Sequence, residues 1–438
     1  MKTTVLKFGG TSLADSNQIK KAADIVKSDP SRRFVVASAP GKRFDDDIKV
    51  TDLLLDCYNK ASQGADFEES LMEVKVRFEE IIGDLDITFD IEPEIDLIRR
   101  NLKNYPSRSY AASRGEYLNS KILAAYLGYN FVDPYYCIKF KAGGELDSKA
   151  TYSALIRTLS DLPNAVIAGF YGSGPDGNII TFSRGGSDIT GSLVAKAVGA
   201  DLYENWTDVS GLLAADPRII KDPRVVEYIS YRELRTLSYM GATVLHADAL
   251  LPVNQAEIPV NIRNTNRPQD PGTMIVSDLP KEREKHTITG VAGRKGLSVI
   301  QVEKIMVSDG AGFTAIILDI FKNLGVPFEQ CLTGIDTVTL IVRSDYFSKY
   351  KDELLKAIEE QLEPDLLLVR ENLAMIAVVG ESDADYQGST VAILGAVSDK
   401  GIELNTINQG GGSLNLIIGV NETDYEEAIK AIYNSIQR

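Results

Sequence analysis

The chain has 438 residues, 44% of them hydrophobic and 25% charged, which is typical of a globular protein with roughly two to four domains. A net charge of -15 argues against general binding to nucleic-acid phosphates, although it allows a local basic pocket for a small anion. The chain has three widely spaced cysteines, which argue against a disulfide framework, and two histidines, which argue against a histidine-based metal site. It has no apolar run long enough to span a bilayer. We therefore expect a cytoplasmic protein with reduced thiols.

The first element is a strand that ends in a two-glycine turn, residues 7–12 (KFGGTS), and leads into a helix. The helical pattern buries positions three and four apart: Ile19, Ala22, Ala23 and Val26. Adjacent glycines let the backbone approach a ligand, and the first amides of a helix have no helical partner, so this turn can hold an anion beside Lys7. We expect Thr11 or Ser12 to cap the helix, with Asp15 completing a capping box. The alternative is an ordinary turn with a solvated lysine.

The next segments predict a buried strand and a long helical region. Residues 34–39 form an apolar run typical of a parallel strand that is covered on both faces. The polar loop at 40–47 follows, and we expect it to be able to move over a site. Residues 67–102 alternate acidic and apolar positions at helical spacing, which predicts a solvated helical hairpin without chemistry. Residues 113–116 (SRGE) are predicted to begin another helix, where Glu116 would complement the helix dipole.

A literal GxGxxG at residues 172–177 suggests a dinucleotide-binding turn, but its context contradicts this interpretation. Residues 175–178 (PDGN) are typical of a turn. A second strand at 179–182 follows where a Rossmann helix should begin. The sequence therefore predicts a β-hairpin.

A second glycine turn, residues 183–188 (SRGGSD), enters a helix and adds a cation and a carboxylate. The strand at 202–206 then runs into Thr207 and Asp208. Alternating strands and helices imply a parallel sheet covered on both faces, and ligands bind outside the carboxyl ends of such strands. Polar residues lie at or just beyond four strand ends: Lys7, Ser38, Arg184 and Thr207 with Asp208. We therefore expect the site at this edge of the sheet.

The C-terminal third contains two similar segments behind a charged linker at residues 279–285. Each segment has a strand, a helix and two further strands, which is typical of a ferredoxin-like unit. Neither carries a cluster of catalytic residue types, so both favour a binding or pairing role. The predicted domains are 1–280 and 286–438, the latter divided into units at about 288–365 and 370–438.

The order of these motifs resembles that of aspartate kinases over nearly the whole chain. The motifs are KFGGTS (7–12), SRGE (113–116), SRGGSD (183–188), TDV (207–209) and DPR (216–218), followed by repeats that resemble ACT domains. Acetylglutamate, glutamate and uridylate kinases are not expected to combine this set with paired ACT units. The resemblance implies an α/β fold: an amino acid kinase-type open, mainly parallel sheet sandwiched by helices, followed by two ferredoxin-like (βαββαβ) ACT units.

The activity implied by the resemblance is transfer of the ATP γ-phosphate to the β-carboxylate of L-aspartate, the first step toward lysine, threonine and methionine. A carboxylate with a pKa near ~4 is already ionised at neutral pH, so no general base is needed. Catalysis then consists of positioning two anions in line and neutralising the transferred group. Mg²⁺ is implied as the ion that bridges the nucleotide phosphates.

The resemblance also implies site residues. Lys7 and Asp188 would be catalytic: Lys7 neutralises the transferred group, and Asp188 either orients Lys7 or binds magnesium through water. Arg184 would bind the α-carboxylate bidentately and Glu116 the α-amino group. The other substrate positions are Ser38, Thr51, Phe170, Gly185, Gly186 and Ser187. The nucleotide positions are Lys7, Gly9, Gly10, Ser12, Thr207, Asp208, Asp216 and Arg218, with the Gly9 and Gly10 amides on the phosphates.

The ACT resemblance implies feedback by an amino acid bound between paired copies, in a homodimer or tetramer. The effector positions are Met306, Ser308, Gly312, Phe313, Glu329 and Asp336. Glu329 and Asp336 are candidate anions for an ε-ammonium, which favours lysine, with threonine as the alternative. The opposite interpretation is that both are solvated surface acids.

Two positions depart from the family pattern: Leu213 stands where a tyrosine is frequent, and Thr243 where a lysine is frequent. They bear on the alternatives to an aspartate kinase. One alternative is a related carboxylate or carbamate kinase. The other is a catalytically idle amino acid sensor in which the ACT pair is the active part.

Overall fold

The computed structural model describes residues 2–183, 185–241, 245, 247–280, 288–305, 311–380, 386–410 and 414–436. The chain divides into two compact units. The first comprises Met1–Leu212, Val225–Arg235 and Val244–Arg283, and the second Leu213–Arg224, Thr236–Thr243 and Glu284–Arg438. None of the helices in the described part of the chain has the length and hydrophobicity that a bilayer span requires.

The first unit is built on an eight-stranded, mainly parallel sheet. Its strands, together with those of a separate hairpin, are β1 (Thr4–Phe8), β2 (Arg32–Ala37), β3 (Asn130–Val132), β4 (Ala165–Ala168), β5 (Tyr171–Ser173), β6 (Ile179–Thr181), β7 (Leu202–Thr207), β8 (Tyr228–Ser230), β9 (Val260–Asn264) and β10 (Thr273–Val276). The order is β3-β4-β2-β1-β7-β9-β10-β8, and only the β9–β10 pair is antiparallel. The predicted α/β class is confirmed.

Helices cover both faces of this sheet. The helices between residues 16 and 255 are α1 (Ser16–Lys27), α2 (Val50–Ser62), α3 (Glu68–Leu85), α4 (Glu92–Asn104), α5 (Arg108–Leu127), α6 (Ser148–Leu159), α7 (Gly186–Ala197), α8 (Tyr231–Tyr239) and α9 (Leu251–Gln255). The last four residues of α8 belong to the second unit. Leu6 and Phe8 of β1 join one hydrophobic core with α1 to α5. Because side chains alternate along a strand, Lys7 lies on the opposite face, where α7 packs on β1.

Local predictions in this unit divide into confirmed and corrected ones. The helix after the first glycine turn buries the four predicted positions, but its N-cap is Asp15, whose side chain accepts from the Gln18 amide at 2.9 Å. The expectation that Thr11 or Ser12 caps it is wrong, since both lie in a preceding 3-10 turn. The hairpin is confirmed, because β5 and β6 pair as a two-stranded antiparallel sheet.

The second unit contains a six-stranded antiparallel sheet in the order β12-β13-β11-β14-β16-β15. Its strands are β11 (Ile288–Glu303), β12 (Phe328–Thr333), β13 (Thr337–Arg343), β14 (Leu366–Gly380), β15 (Thr406–Gln409) and β16 (Leu414–Asn421). Its helices are α10 (Ala311–Leu324), α11 (Ser344–Leu362), α12 (Tyr386–Ser398) and α13 (Tyr425–Ile436). The long strands β11 and β14 run through both repeats: residues 297–303 of β11 pair with β13, and residues 373–380 of β14 pair with β16.

Candidate active site

An ion pair between Lys7 and Asp188 lies at the carboxyl end of β1. Lys7 is the penultimate residue of β1, Asp188 lies in the first turn of α7, and their Nζ and Oδ1 atoms are 2.6 Å apart. The side chains are only 11% and 14% exposed. Asn205 lies opposite Lys7 on β7 and donates its amide to the same Oδ1 at 2.8 Å. The carboxylate therefore holds the ammonium in one place, and Asn205 holds the carboxylate.

The N-terminus of α7 adds partial positive charge beside this pair. Gly185 occupies the N-cap with a φ of 58°, a left-handed conformation that favours glycine. Gly186 packs so closely on Phe170 that a Cβ would lie 2.6 Å from its ring. The first amides of a helix have no intrahelical acceptor and favour an anion. Arg184, the predicted carboxylate ligand, lies outside the described residues.

The glycine turn after β1 differs in one detail from the expectation. The Gly9 amide donates to the carbonyl of Trp206 at 3.0 Å, so the prediction that it binds a phosphate is wrong for this conformation. Among the described residues the Gly10 amide has no hydrogen-bond partner. The Ser12 side chain is 2% exposed, and its Oγ accepts from the Thr265 hydroxyl at 2.8 Å. Within the turn, the Gly10 amide is thus the predicted phosphate ligand that remains free.

Phe170 has a strained backbone, with a φ of 82° in the left-handed region. Its amide donates to Thr190 Oγ1 at 3.1 Å, and its carbonyl accepts from Phe182 at 2.9 Å. A Cβ on the preceding Gly169 would lie 2.4 Å from Ser187 Oγ. Such strain costs about 1–3 kcal/mol and persists mainly at functional sites. Phe170 and Ser187 are therefore brought together at the start of α7, as expected of two substrate positions.

Glu116 is the predicted residue whose environment differs most from expectation. The helix α5 begins at Arg108, not Ser113, so Glu116 lies in the helix interior and cannot complement its dipole. The carboxylate accepts from the Ala39 amide, and its Oε2 has no partner among the described residues. Desolvation raises the pKa of Glu116 to about 8. A buried, half-satisfied carboxyl group is suited to binding an ammonium group.

The remaining substrate positions follow β2. The Ser38 amide donates to Phe8 O at 3.2 Å, and its carbonyl accepts from Asn119 Nδ2 at 2.8 Å. Thr51 lies in the first turn of α2 and is half-buried. Gly115 lets α5 approach this segment, because a Cβ there would lie 2.7 Å from the Ala39 Cβ. Ser38 and Glu116 are thus joined through one backbone segment.

The predicted nucleotide positions separate into two groups. Thr207 ends β7 and donates to the carboxylate of the exposed Asp208 at 3.2 Å. Asp216 and Arg218 belong to the second compact unit, where they form an ion pair of 2.6 Å. The Arg218 guanidinium holds the pKa of Asp216 below its usual range. Leu213 belongs to that unit too, and Thr243 lies outside the described residues.

The predicted effector positions lie in the second unit, except that Met306 and Ser308 are outside the described residues. Phe313 of α10 is 7% exposed and packs in the core of the sheet, next to Gly312. Glu329 on β12 is bound by the Arg294 guanidinium and the Tyr239 hydroxyl, and its side chain is 9% exposed. It is therefore no solvated surface acid. Asp336 is half-buried, and its carbonyl accepts from the Lys304 amide at 2.9 Å.

Several residues of the site were not predicted from the sequence. Asn205 and Asn119 hold predicted residues through hydrogen bonds, and the Trp206 carbonyl occupies the Gly9 amide. Asn205 had a detectable signal, because it is a polar residue in an otherwise buried parallel strand. Asn119 had none, since a polar residue in a long helix is ordinarily solvated. Over the described residues, no group of three or more His, Cys, Asp or Glu side chains could hold a metal ion.

The sequence matches two family models. The model of the amino acid kinase family matches residues 2–264, which is more than half of the chain. The model of an ACT domain matches residues 376–436. The first span contains the strands of the eight-stranded sheet except β10, and the second contains the C-terminal part of the antiparallel sheet.

Individual relatives are similar over the full length. Aspartokinase 3 of Bacillus subtilis (strain 168) is 36% identical over 450 residues, which cover 98% of this chain and 97% of that protein. The crystal structure of Clostridium acetobutylicum aspartate kinase, an allosteric enzyme, is 44% identical with a TM-score of 0.89 over 100% of both chains. E. coli aspartokinase III in complex with lysine and aspartate (T-state) is 25% identical with a TM-score of 0.72, also over 100% of both chains.

Proposed function

Since the chain belongs to the amino acid kinase family and is an aspartate kinase, we propose that it transfers the γ-phosphoryl group of MgATP to the β-carboxylate of L-aspartate. The products are 4-phospho-L-aspartate and ADP. The observation that carries this proposal is the sheltered Lys7–Asp188 pair beside the N-terminus of α7. Together they place the Lys7 ammonium, paired with Asp188, and the partial positive charge of the first α7 amides at the carboxyl edge of the sheet.

The chemistry needs little beyond placement and charge neutralisation. The β-carboxylate is ionised at neutral pH and attacks the γ-phosphorus directly, so no residue has to remove a proton. Charge spreads over the equatorial phosphoryl oxygens in the transition state. Lys7 and the first amides of α7 stabilise that charge. The ammonium needs no reorganisation because Asp188, which is itself bound by Asn205, already holds it in place.

Recognition of aspartate rests on opposite charges at its α-carbon. The half-satisfied Glu116 carboxylate receives the α-ammonium, which lowers the pKa of that carboxyl group again by pairing it. Arg184 takes the α-carboxylate through its planar fork. The other proposed substrate positions are Ser38, Thr51, Phe170, Gly185, Gly186 and Ser187.

MgATP is the second substrate, and Mg²⁺ arrives with its phosphates. The exposed carboxylate of Asp208 suits water-mediated contact with the ion, because Mg²⁺ prefers oxygen ligands and keeps several waters. Asp188 is occupied by Lys7, which favours its orienting role over magnesium binding. The proposed nucleotide positions are Lys7, Gly10, Ser12, Thr207, Asp208, Asp216 and Arg218, with Gly9 acting through close backbone approach.

The domain and pathway assignments are part of the same proposal. The catalytic domain is residues 1–280, and the regulatory region is residues 286–438 with ACT units at about 288–365 and 370–438. The reaction is the first step toward lysine, threonine and methionine in the cytoplasm, and the three unpaired cysteines suit that compartment. ACT pairing makes the enzyme a homodimer or tetramer.

Feedback by lysine is favoured, with threonine as the alternative effector. E. coli aspartokinase III, which is similar to this chain over its full length, forms a complex with lysine. This similarity supports lysine as the proposed effector. Glu329 and Asp336 are the anions proposed for the ε-ammonium, and the other proposed effector positions are Met306, Ser308, Gly312 and Phe313. An effector acts only through different affinities for two states. Lysine would have to compete with Arg294 for Glu329, so lysine binding is coupled to the breaking of the Arg294–Glu329 ion pair.

The catalytic proposal is tested by hydroxamate formation from L-aspartate, MgATP and hydroxylamine. The wild type should form aspartyl hydroxamate, and Lys7→Ala should abolish it while remaining folded. Lys21→Ala removes an exposed lysine of α1 and is the matched control. Normal turnover in Lys7→Ala would remove Lys7 from its role, and a preference for N-acetylated substrates would contradict the recognition argument.

The feedback proposal is tested by titrating the same assay with lysine and threonine. Lysine should inhibit the wild type, and Glu329→Gln should shift the inhibition to higher lysine concentration. Activity that is unaffected by saturating lysine in both proteins would exclude lysine as the effector. Inhibition by threonine alone would favour the alternative.

A further inference from the structure

The backbone segment after β2 is held against the glycine turn at its far end as well as at Ser38. The Gly41 amide donates to the Gly10 carbonyl at 2.8 Å. The two glycines lie so close that a Cβ on Gly41 would come within 2.7 Å of the Gly10 carbonyl carbon. This contact joins the predicted phosphate-binding turn to the segment that carries the substrate position Ser38.

One buried guanidinium completes this contact from outside the site. Arg77 of α3 is 5% exposed, and its Nη2 donates to Gly41 O at 3.0 Å and to Ala14 O at 2.9 Å. Its Nη1 donates to Asp47 Oδ2 at 2.8 Å. A single side chain therefore binds the end of the glycine turn and both ends of the loop 41–47.

The loop between these anchors has a different character from its ends. Residues 42–46 are exposed, with Phe44 60% exposed at the tip. Asp47 is buried and also accepts from the amide and guanidinium of Arg43. The loop is thus short and exposed, and its two ends are both bound by the buried Arg77 side chain.

We propose that Arg77 is a positioning residue for phosphoryl transfer, which sets the distance between the Gly10 turn and the Ser38 segment by binding Gly41, Ala14 and Asp47. It touches no substrate in this proposal. Without it, two buried carbonyls and a buried carboxylate lose a charged donor, and the ends of the loop keep only the Gly41–Gly10 and Arg43–Asp47 contacts. The inference rests on the proposed function only for its assay, because the contacts themselves are independent of the reaction.

The test compares Arg77→Met, Arg77→Lys and Asp47→Asn by steady-state kinetics in both substrates. A displacement of about 1 Å in a reacting group is enough to lower activity about a hundredfold, so Arg77→Met should lose about that much in kcat/KM while remaining folded. Arg77→Lys should recover part of the loss, because an ammonium still reaches Asp47 but cannot bind both carbonyls. A merely structural role would lower Tm without this graded kinetic response.

Limited trypsin digestion supplies a second readout, since Lys42 and Arg43 lie in the loop. Cleavage there should be faster in Arg77→Met and in Asp47→Asn than in the wild type. Arg99→Met is the matched control, because Arg99 binds Glu68 and Asp96 on the same helical hairpin and does not touch the loop. It should leave both cleavage and kinetics unchanged.

The outcomes separate this inference from the proposed function. Wild-type kcat/KM and wild-type cleavage in folded Arg77→Met would overturn the positioning role while leaving the kinase assignment intact. If Arg77→Met fails to fold, Arg77→Lys decides, because its ammonium still reaches Asp47 but cannot bind both carbonyls. Wild-type kinetics and wild-type cleavage in Arg77→Lys would also overturn the proposal. A wild-type enzyme inactive on aspartate would contradict the proposed function instead.

Discussion

The two units of the molecule use charge in different ways. Ion pairs in the first unit include three whose side chains are almost fully sheltered: Lys7–Asp188, Arg32–Glu204 and Arg77–Asp47. Pairs in the second unit such as Arg343–Asp345, Lys351–Glu371 and Lys400–Glu427 leave both side chains more than 40% exposed. A sheltered pair has a fixed geometry and is costly to break by removing one partner, whereas exposed pairs are screened by water and salt.

This difference indicates what charged side chains contribute to each unit. In the first unit charge fixes the positions of backbone segments and of the Lys7 ammonium, for which we propose a catalytic role. In the second unit the sheet is held by apolar packing, and charge is mostly at the surface. Among the ion pairs of this unit's described residues, Arg294–Glu329 is the sheltered exception, with exposures of 25% and 9%, and the Tyr239 hydroxyl also donates to Glu329. The cluster of Arg294, Glu329 and Tyr239 is therefore the part of the second unit that resembles a binding site.

The largest expected effect is the loss of Asp188. Asp188→Asn removes the charge that holds Lys7, and we expect kcat to fall about a hundred- to a thousandfold, as when one preorganised electrostatic group is deleted. KM for aspartate should change much less. Hydroxamate formation under saturating substrates measures kcat, and Asp24→Asn on the exposed side of α1 is the control.

The double variant Lys7→Ala with Asp188→Asn distinguishes a coupled pair from two independent contributions. Residues that act as a unit are non-additive, so the double variant should be no slower than Lys7→Ala alone. Effects that multiply would mean that Asp188 acts by itself, for example on magnesium. The comparison between sheltered and exposed pairs would then lose its catalytic example.

Arg32→Met tests whether a sheltered pair without catalytic role is equally important to the fold. Its loss leaves Glu204 buried with only the Trp206 indole at 3.0 Å and the more distant Arg263. Breaking a buried pair in this way should lower the free energy of unfolding by about 3–5 kcal/mol. Urea denaturation measures it. An effect near zero would show that shelter alone does not make an ion pair strong in this unit.

Much of the first unit could be predicted from the sequence, because its signals are local. The strand with its two glycines and the following helix are recognisable locally, and so is the hairpin from the turn residues after GxGxxG; the anion site at the glycine turn stays a prediction. The position of Lys7 at a strand end also follows from this pattern. What local reasoning missed at Glu116 was the start of α5, since residues 108–112 carry no strong helix signal before the SRGE motif.

The positioning residues could not be predicted for a different reason. Arg77 lies in a stretch of alternating acidic and apolar residues, where an arginine normally belongs to the solvated face. Its burial depends on Asp47 and Gly41, which are 30 and 36 residues away along the chain. Asn119 and the Trp206 carbonyl depend in the same way on segments brought together only by the sheet. Contacts of this kind leave no pattern within one window of sequence.

The next effect in size is the pH dependence of aspartate binding. Burial raises the pKa of Glu116 to about 8, so below that pH the free enzyme holds a neutral acid that an ammonium cannot pair with. We expect kcat/KM for aspartate to rise with pH up to about 8, approaching about tenfold per pH unit in the acidic range. Glu116→Gln should be weaker and lack this rise. The same rise in Glu116→Gln would assign it to another group.

Stability should respond to the same carboxyl group in the opposite direction. The folded protein keeps a proton that the unfolded chain releases above its ordinary pKa of 4.5, so the contribution to stability falls as pH increases from 4.5 to about 8. Thermal unfolding at several pH values should show this decline in the wild type and a smaller one in Glu116→Gln. A parallel decline in both proteins would contradict the buried, neutral state of Glu116.

The smallest expected effect concerns the exposed pair Arg343–Asp345 in the second unit. Asp345→Asn removes a contact of 2.5 Å between side chains that are 50% and 59% exposed. Each charge is well hydrated alone, so the variant should unfold at the same temperature as the wild type within the error of calorimetry, at low and at high salt. Glu329→Gln in the same unit should lower Tm, because Arg294 is then left beside a neutral amide in a sheltered place. If Asp345→Asn lowered Tm more than Glu329→Gln does, side-chain exposure would not explain which charged residues stabilise this unit.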